Sequence, residues 1–478
     1  MRLLHVLVIL YKDHRKTHVF MSNFHAPFNI IAKPIGAICN LDCEYCYYLE
    51  KEDLYPGTKS FKMSEETLEN YTRQYIYSQP ADTREVNFVW QGGEPTLLGL
   101  PFFKKALKLQ QKYARPGMNI TNSFQTNGTR LNDDWAQFFA DHDVLVGISI
   151  DGPEELHDEF RPDKGGYGSF HQVMDGLEYL KKHQTRFNTL TCVQSSNSSY
   201  PVKVYRFLKE IGSTHLQFIP IVEPVGMGPG GGCGSAGGNG SGMAQGNGAD
   251  STGPDGFENG QTKGYAGKGS DSEDDFDINA TVRYGKAVVS YRSVHPKKYG
   301  TFLCGVFDEW LRRDDVGRIF VQDFDVALNL VAGYPSPLCI HAETCGHAMA
   351  VEHNGDIYSC DHFVYPDFKL GNIADTPLKT MHESARQEAF GQHKRDGLPK
   401  YCMECDYRFV CNGGCPKDRI IDTPDGEEGL NYLCQGYKTF YAHSVPVFQL
   451  MAKCLEQGIA PRDYRQLMPK GAGKKRRN

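Results

Sequence analysis

Where the cysteines fall constrains this chain more than any other property. Cys39, Cys43 and Cys46 occupy the run Cys-Asn-Leu-Asp-Cys-Glu-Tyr-Cys-Tyr-Tyr, just after a short apolar segment. Eight more, Cys339, Cys345, Cys360, Cys402, Cys405, Cys411, Cys415 and Cys434, crowd into a stretch far along the chain. A tetrahedral zinc or a fully ligated iron–sulfur cluster takes four protein ligands. Eight thiols therefore suffice for two closed sites. Three leave a cubane with one open iron, and an open metal position is what catalysis requires. The competing reading of the first block is a zinc knuckle short of one ligand, or unrelated buried thiols. For the second block, with its C-x2-C-x5-C-x3-C array, it is a pair of structural zinc ribbons. Cys192, Cys304 and Cys454 have no partner spacing and are expected to be small buried side chains, and Cys233 a bystander thiol.

Fifteen cysteines in a disulfide framework would call for an oxidising compartment and an export signal. The run from Leu3 to Leu10 is apolar but interrupted by His5, lacks a small-residue cleavage site and is too short to span a bilayer. It reads as a non-cleaved segment, with Met21 as an alternative start. A cytoplasmic, reducing location with cysteines as metal ligands is the expectation. The formal net charge of −6 excludes a general nucleic-acid or acidic-membrane binder, and the basic tail at Lys474, Lys475, Arg476 and Arg477 is too short to alter that.

From Asn29 to about Pro224 apolar strands, polar turns and amphipathic helices alternate. The strand candidates are Asn29–Ala32, Val86–Trp90, Ile120–Gln125, Leu145–Ile150, Asn188–Val193 and Leu216–Val222, with helices such as Glu65–Tyr77 and Phe102–Tyr113 between them. Six such units predict a partial α/β barrel of parallel strands, with its chemistry at the strand carboxyl ends. A Gly-, Ser-, Asn- and Asp-rich stretch from Gly226 to about Asp277 holds too few large apolar residues to offset chain entropy and reads as a disordered insertion. Helical character returns from Tyr284 to Asp325. A loop-rich cysteine region begins at Cys339, and a terminal helix covers about Phe440–Leu455.

Three turns lie at carboxyl ends of the predicted strands: Gln91-Gly92-Gly93-Glu94-Pro95-Thr96, Gln125-Thr126-Asn127-Gly128-Thr129 and Ser149-Ile150-Asp151-Gly152-Pro153. Glycines there let backbone approach a ligand closely, and carbonyls can accept from an ammonium group. With C-x3-C-x2-C one strand upstream, this succession resembles the radical S-adenosylmethionine enzymes. The eight later cysteines resemble their SPASM extension. Leu216-Gln217-Phe218-Ile219, Cys360-Asp361-His362-Phe363, Leu370-Gly371-Asn372-Ile373 and Gly429-Leu430-Asn431-Tyr432 narrow the likeness to anaerobic sulfatase-maturating enzymes. It covers roughly residues 28–224 and 280–455.

The resemblance implies a partial (β/α)6 radical S-adenosylmethionine barrel over 28–224 and a SPASM domain with two auxiliary 4Fe-4S clusters over 339–455. Around them it leaves an N-terminal extension (1–27), the Gly-rich insertion (225–278), a helical connector (279–338) and a C-terminal tail (456–478). It implies three 4Fe-4S clusters. Cys39, Cys43 and Cys46 would hold the open one; Cys339, Cys345, Cys360 and Cys415 one auxiliary cluster; and Cys402, Cys405, Cys411 and Cys434 the other. Tyr45, Gly93, Ser149, Arg161 and Val222 match positions that contact S-adenosylmethionine, Arg161 through its always-charged fork. Such enzymes convert a Cys or Ser of an unfolded or nascent sulfatase into Cα-formylglycine. A 5′-deoxyadenosyl radical takes a hydrogen from Cβ, a base takes the thiol or hydroxyl proton, and auxiliary clusters take the electron. A low-potential donor such as flavodoxin or ferredoxin supplies reducing equivalents. Asp361 matches the proton acceptor, and proximity to a negatively charged cubane predicts a raised pKa for it.

Two other readings compete. One is a SPASM peptide maturase that forms a thioether or crosslink; such enzymes often carry an N-terminal recognition domain, for which the segment before Cys39 is short. The other is a non-catalytic zinc-binding interaction protein, which requires the three strand-end turns to be accidental.

Overall fold

The computed structural model describes residues 27–225 and 281–468. The expectations for the N-terminal extension and Met21, for nearly all of the Gly-rich insertion with Cys233, and for the end of the tail lie outside the described residues. Six parallel strands make the frame: β1 (Asn29–Lys33), β2 (Glu85–Trp90), β3 (Asn119–Thr126), β4 (Leu145–Ser149), β5 (Phe187–Val193) and β6 (His215–Pro220). They lie side by side in chain order. Parallel neighbours need crossovers. Helices α1 (Glu65–Ser78), α2 (Leu100–Tyr113), α3 (Asp133–Asp141), α4 (Phe170–Lys182) and α5 (Pro201–Glu210) supply them. The predicted alternation is therefore the observed one.

Local chemistry sets the helix starts. Ser64 Oγ accepts from Thr67 N at 3.0 Å to cap α1, and Asn132 Oδ1 accepts from Trp135 N at 3.1 Å to cap α3. Between the sheet and α1–α3 the buried rings of Tyr71, Phe88, Trp90, Phe103, Phe124, Trp135 and Phe139 interlock edge to face or tilted. Trp90 is satisfied there: Asn122 accepts from Trp90 Nε1 at 2.8 Å and exchanges two hydrogen bonds with the Gln110 amide.

The sheet does not end with the barrel. β7 (Thr281–Tyr284) and β8 (Ala287–Ser290) form a separate hairpin where the sequence predicts helical character from Tyr284. Alternating apolar and polar residues across a short turn favour that hairpin over a helix. β9 (Phe320–Val321) then pairs with β6, and β10 (Ala348–Glu352) pairs in parallel with β1 along its whole length. β11 (Asp356–Tyr358) and β12 (Lys369–Asn372) complete a ten-stranded sheet. The boundary expected at residue 339 thus falls inside one continuous sheet. Physically, β1 would otherwise present an unpaired edge, and the mostly apolar run Ala348-Met349-Ala350-Val351 suits a strand covered on both faces.

Helices α6 (Pro296–Arg312), α7 (Gln322–Val331) and α8 (Ala385–Asp396) precede α9 (Cys434–Glu456), which starts before the predicted Phe440. Phe307 of α6 packs against Phe324 of α7 and against Phe440 and Phe448 of α9. The α6–α9 crossing is close: a Cβ on Gly436 would meet the Pro296 carbonyl oxygen at 2.4 Å. Because Cys434 opens α9, that crossing fixes where this cysteine lies. Gly436→Ala is expected to destabilise the protein by about 1–3 kcal/mol, read as a lowered urea midpoint. Ordinary helix propensity favours alanine by about 1 kcal/mol, so a raised midpoint would contradict the close crossing.

Candidate metal and cofactor site

The loop after β1 carries Cys39, Cys43 and Cys46 and is held by the turns after β2 and β3. Gly93 N donates to Gly36 O at 2.7 Å and Glu94 N to Ile38 O at 2.8 Å. A Cβ on Gly93 would lie 1.9 Å from Ile38 O, so only glycine permits this contact. The wholly buried Glu94 then ties the turns together. Its Oε1 accepts from Thr96 N (3.0 Å), Thr96 Oγ1 (2.6 Å) and Thr126 Oγ1 (2.8 Å), and its Oε2 from Asn127 N (2.8 Å). Asn127 Nδ2 continues to Asn40 Oδ1 at 3.0 Å and to Cys39 Sγ at 3.7 Å. Burial raises the Glu94 pKa, opposed by these hydrogen bonds.

A second knot surrounds Tyr45. Its hydroxyl donates to Asp151 Oδ2. Arg161 reaches the same carboxylate with Nε at 2.9 Å and Nη2 at 3.1 Å, and Asp151 Oδ1 also accepts from Cys192 N at 2.9 Å. The Arg161 guanidinium lies 5.4 Å from the Tyr45 ring centroid. Two of its nitrogens are therefore engaged by Asp151, rather than the whole fork being open to a ligand carboxylate. Asp151 is fully buried, and its burial makes the arginine necessary. Cys192, expected to be a mere packing thiol, has its Sγ 3.7 Å from Arg161 Nη2. Ser149 Oγ accepts from Gln125 Nε2 at 2.9 Å. Val222 is buried just past β6, where Ile221 N donates to Val193 O and Val294 N to Ile221 O. Pro224 bridges Val289, so the two ends of the insertion meet beside Val222.

The third group joins the first cysteine loop to the second block. Lys33 is 1% exposed, with Nζ 4.0 Å from Asp361 Oδ2 and 4.4 Å from the Tyr48 ring centroid. Tyr47 OH donates to Asp361 Oδ2 at 3.3 Å, and Tyr48 OH donates to Glu352. Asp361 is thus largely enclosed rather than a solvated loop residue. The protein's own groups lower its pKa. Burial pushes it up, but His362 and Lys33, with hydrogen bonds from Tyr47 and Cys360, outweigh that.

Seven of the eight distant thiols sort into two neighbourhoods. Cys360 interacts electrostatically with Cys339 and Cys415. Cys434 interacts with Cys402, Cys405 and Cys411, and those four line one cavity. Cys345 N donates to Gly391 O at 3.1 Å, at the foot of β10. Between Cys411 and Cys415, Asn412, Gly413 and Gly414 take successive left-handed conformations, and the turn sends the two cysteines to different neighbourhoods. Cys39, Cys43 and Cys46 likewise act on one another. Among the described residues no three cysteine sulfurs lie mutually within 4.8 Å. Thiolates about 2.3 Å from one zinc would be closer than that. Burial raises the Cys39 pKa to about 11 and those of Cys43 and Cys434 to about 12. Metal loading must displace those protons and is favoured as pH rises.

Barrel and thiol sets together define the class of a radical S-adenosylmethionine enzyme with an iron–sulfur extension. The family model for the radical SAM superfamily matches residues 34–208, and that for the iron–sulfur cluster-binding SPASM domain matches 339–406. A serine-type anaerobic sulfatase-maturating enzyme of Bacteroides thetaiotaomicron is 42% identical, covering 94% of this chain and 97% of its own. A cysteine-type enzyme of Clostridium perfringens is 31% identical over 88% of this chain and 97% of its own. The solved structure of anSMEcpe with bound AdoMet superposes with a TM-score of 0.69 at 30% identity, covering 89% of this chain and 100% of that one. This chain belongs to the anaerobic sulfatase-maturating enzymes.

Asp151, Lys33 and Glu352 carry the site's electrostatics and were not singled out from sequence. A lone lysine ending the apolar β1 and a lone glutamate ending β10 were the available signals. Asp151→Asn is expected to leave Arg161 buried without its counter-charge and to cost about 3–5 kcal/mol. A denaturation midpoint equal to that of the unchanged protein would contradict the role given to this pair.

Proposed function

We propose that this chain oxidises a Cys or Ser side chain of a sulfatase to Cα-formylglycine. Cys39, Cys43 and Cys46 hold an open cubane, and the two distant thiol sets hold closed 4Fe-4S clusters. Tyr45, Gly93, Ser149, Arg161 and Val222 form the S-adenosylmethionine site. Bound there, the cofactor and the open iron supply the oxidant that removes a hydrogen from the substrate Cβ. Asp361 takes the proton from the substrate thiol or hydroxyl, and the two distant thiol sets would hold the clusters able to accept the remaining electron. The two-electron oxidation to thioaldehyde or aldehyde is then balanced, with hydrolysis where the target was Cys.

The observation that carries this reading is the position of Asp361. It directly follows Cys360, and its carboxylate accepts from Tyr47, the neighbour of Cys46. A base there reaches toward both the open and a closed thiol set, which suits a step that moves a proton and an electron together. His362 and Lys33 favour the ionised carboxylate, the form that can accept a proton. Iron–sulfur clusters suit the electron-accepting role, whereas zinc is redox-inert.

The polypeptide partner is an unfolded or nascent sulfatase, because the target side chain has to enter an enclosed site. The donor is a low-potential protein such as flavodoxin or ferredoxin. No helix among the described residues is long and apolar enough to cross a membrane.

Reduced protein with S-adenosylmethionine and sulfatase-motif peptides bearing Cys or Ser is expected to yield formylglycine and 5′-deoxyadenosine, read by mass spectrometry. Deoxyadenosine without any peptide aldehyde would favour a crosslinking or thioether-forming maturase instead. Asp361→Asn is expected to retain iron and cofactor cleavage while aldehyde formation falls by about 10²–10⁴-fold. Full activity in that variant would remove Asp361 from the base role.

A further inference from the structure

Five lysines and arginines are buried among the described residues: Lys33, Lys51, Arg161, Lys394 and Arg419. The first three each have a carboxylate oxygen within 4.0 Å, from Asp361, Glu50 and Asp151. Among the described residues, Lys394 and Arg419 have none. Lys394, near the end of α8, donates from its ammonium to Ala342 O and, at 3.1 Å, to Asn412 O. Arg419 donates from Nε to Gly413 O at 3.3 Å and from Nη2 to Lys394 O at 2.7 Å. Its Nη1 is buried with no hydrogen-bond partner. Backbone carbonyls solvate these cations but do not neutralise them.

The two charges also repel. Burial pulls the Lys394 pKa down to about 8, and Arg419 acts in the same direction. The attractive groups are thiols: Cys345, Cys411 and Cys415 act on Lys394, and Cys402, Cys415, Cys345 and Cys411 on Arg419. Both assigned auxiliary sets are represented in each group. A neutral thiol offers a cation little. The same sulfurs bound to iron are thiolates on a cluster of net negative charge, and the two cations are then answered.

We propose that Lys394 and Arg419 are positioning residues that form a shared cation pair between the two auxiliary clusters and stabilise the reduced form of each. This rests on the cluster assignment made under Proposed function. In the step concerned a cluster gains one electron from the substrate radical, no bond forms or breaks within the pair, and neither cation changes protonation. A nearby positive charge favours the more negative reduced cluster and so raises its potential.

The test uses anaerobically purified, fully loaded protein and the variants Lys394→Met and Lys394→Arg. Iron and sulfide are counted, and midpoint potentials are measured by redox titration followed by electron paramagnetic resonance. Auxiliary signals are those unchanged by S-adenosylmethionine. Lys394→Met is expected to make reduction of an auxiliary cluster about tenfold less favourable, a fall of about 59 mV for one electron, while Lys394→Arg stays near the parent value. An unmoved potential in loaded Lys394→Met overturns the proposal. Should Lys394→Met fail to load, full iron in Lys394→Arg supports the charge role, and equal depletion in both overturns it. Parent protein holding zinc without iron or sulfide would instead defeat the functional reading itself.

Discussion

A charge taken out of water must be answered by another charge or by well-aimed hydrogen bonds, and the functional half of this structure is arranged around such answers. Glu94 is answered by donors from three residues, and in satisfying it they lock two strand-end turns onto the first cysteine loop. Asp151 is answered by Arg161 and Tyr45, which fixes the aromatic next to Cys46. Lys33 lies between Asp361 and Glu352, whose charges both act on it. In each case the buried group sits at or just beyond the end of a strand, so the requirement for a partner becomes a requirement on where loops meet.

β1 sets the separation of the first cysteine loop from the later thiols. It pairs with β2 on one side and with β10 on the other, both parallel. The loop leaving β1 carries Cys39, Cys43 and Cys46, whereas the chain around β10 and β11 carries Cys345 and Cys360. Both Cys46 and Cys360 act on the Lys33 ammonium, which places that residue between the two sets. A slip of one residue in the β1–β10 register would turn Lys33 to the opposite face of the sheet. The contact with Asp361 would be lost with it.

The repeating strand–helix pattern was legible because its period and turn chemistry are local, and the six strands stand close to where alternation puts them. The cysteine blocks were legible because thiol spacing is a covalent property of the chain. The pairing of β10 with β1 was not, since nothing local tells a strand which distant edge it will cover. The same limit explains the hairpin before Pro296. It also applies to the surroundings of Asp361, supplied in part by Lys33 and Tyr47, more than three hundred positions away in sequence. Lys394 and Arg419 carried no signal at all. The α8 segment Ala385–Asp396 is mostly polar, although its lysine is buried.

One open site beside two closed ones is the central claim, and the iron content of the Cys39→Ala, Cys43→Ala, Cys46→Ala triple variant tests it directly. Independent sites require iron and acid-labile sulfide to fall by about one third relative to the parent protein, with the signals of two clusters intact and unresponsive to S-adenosylmethionine. Loss of all iron, no loss, or zinc in its place would contradict the separation of one reactive cluster from two electron acceptors.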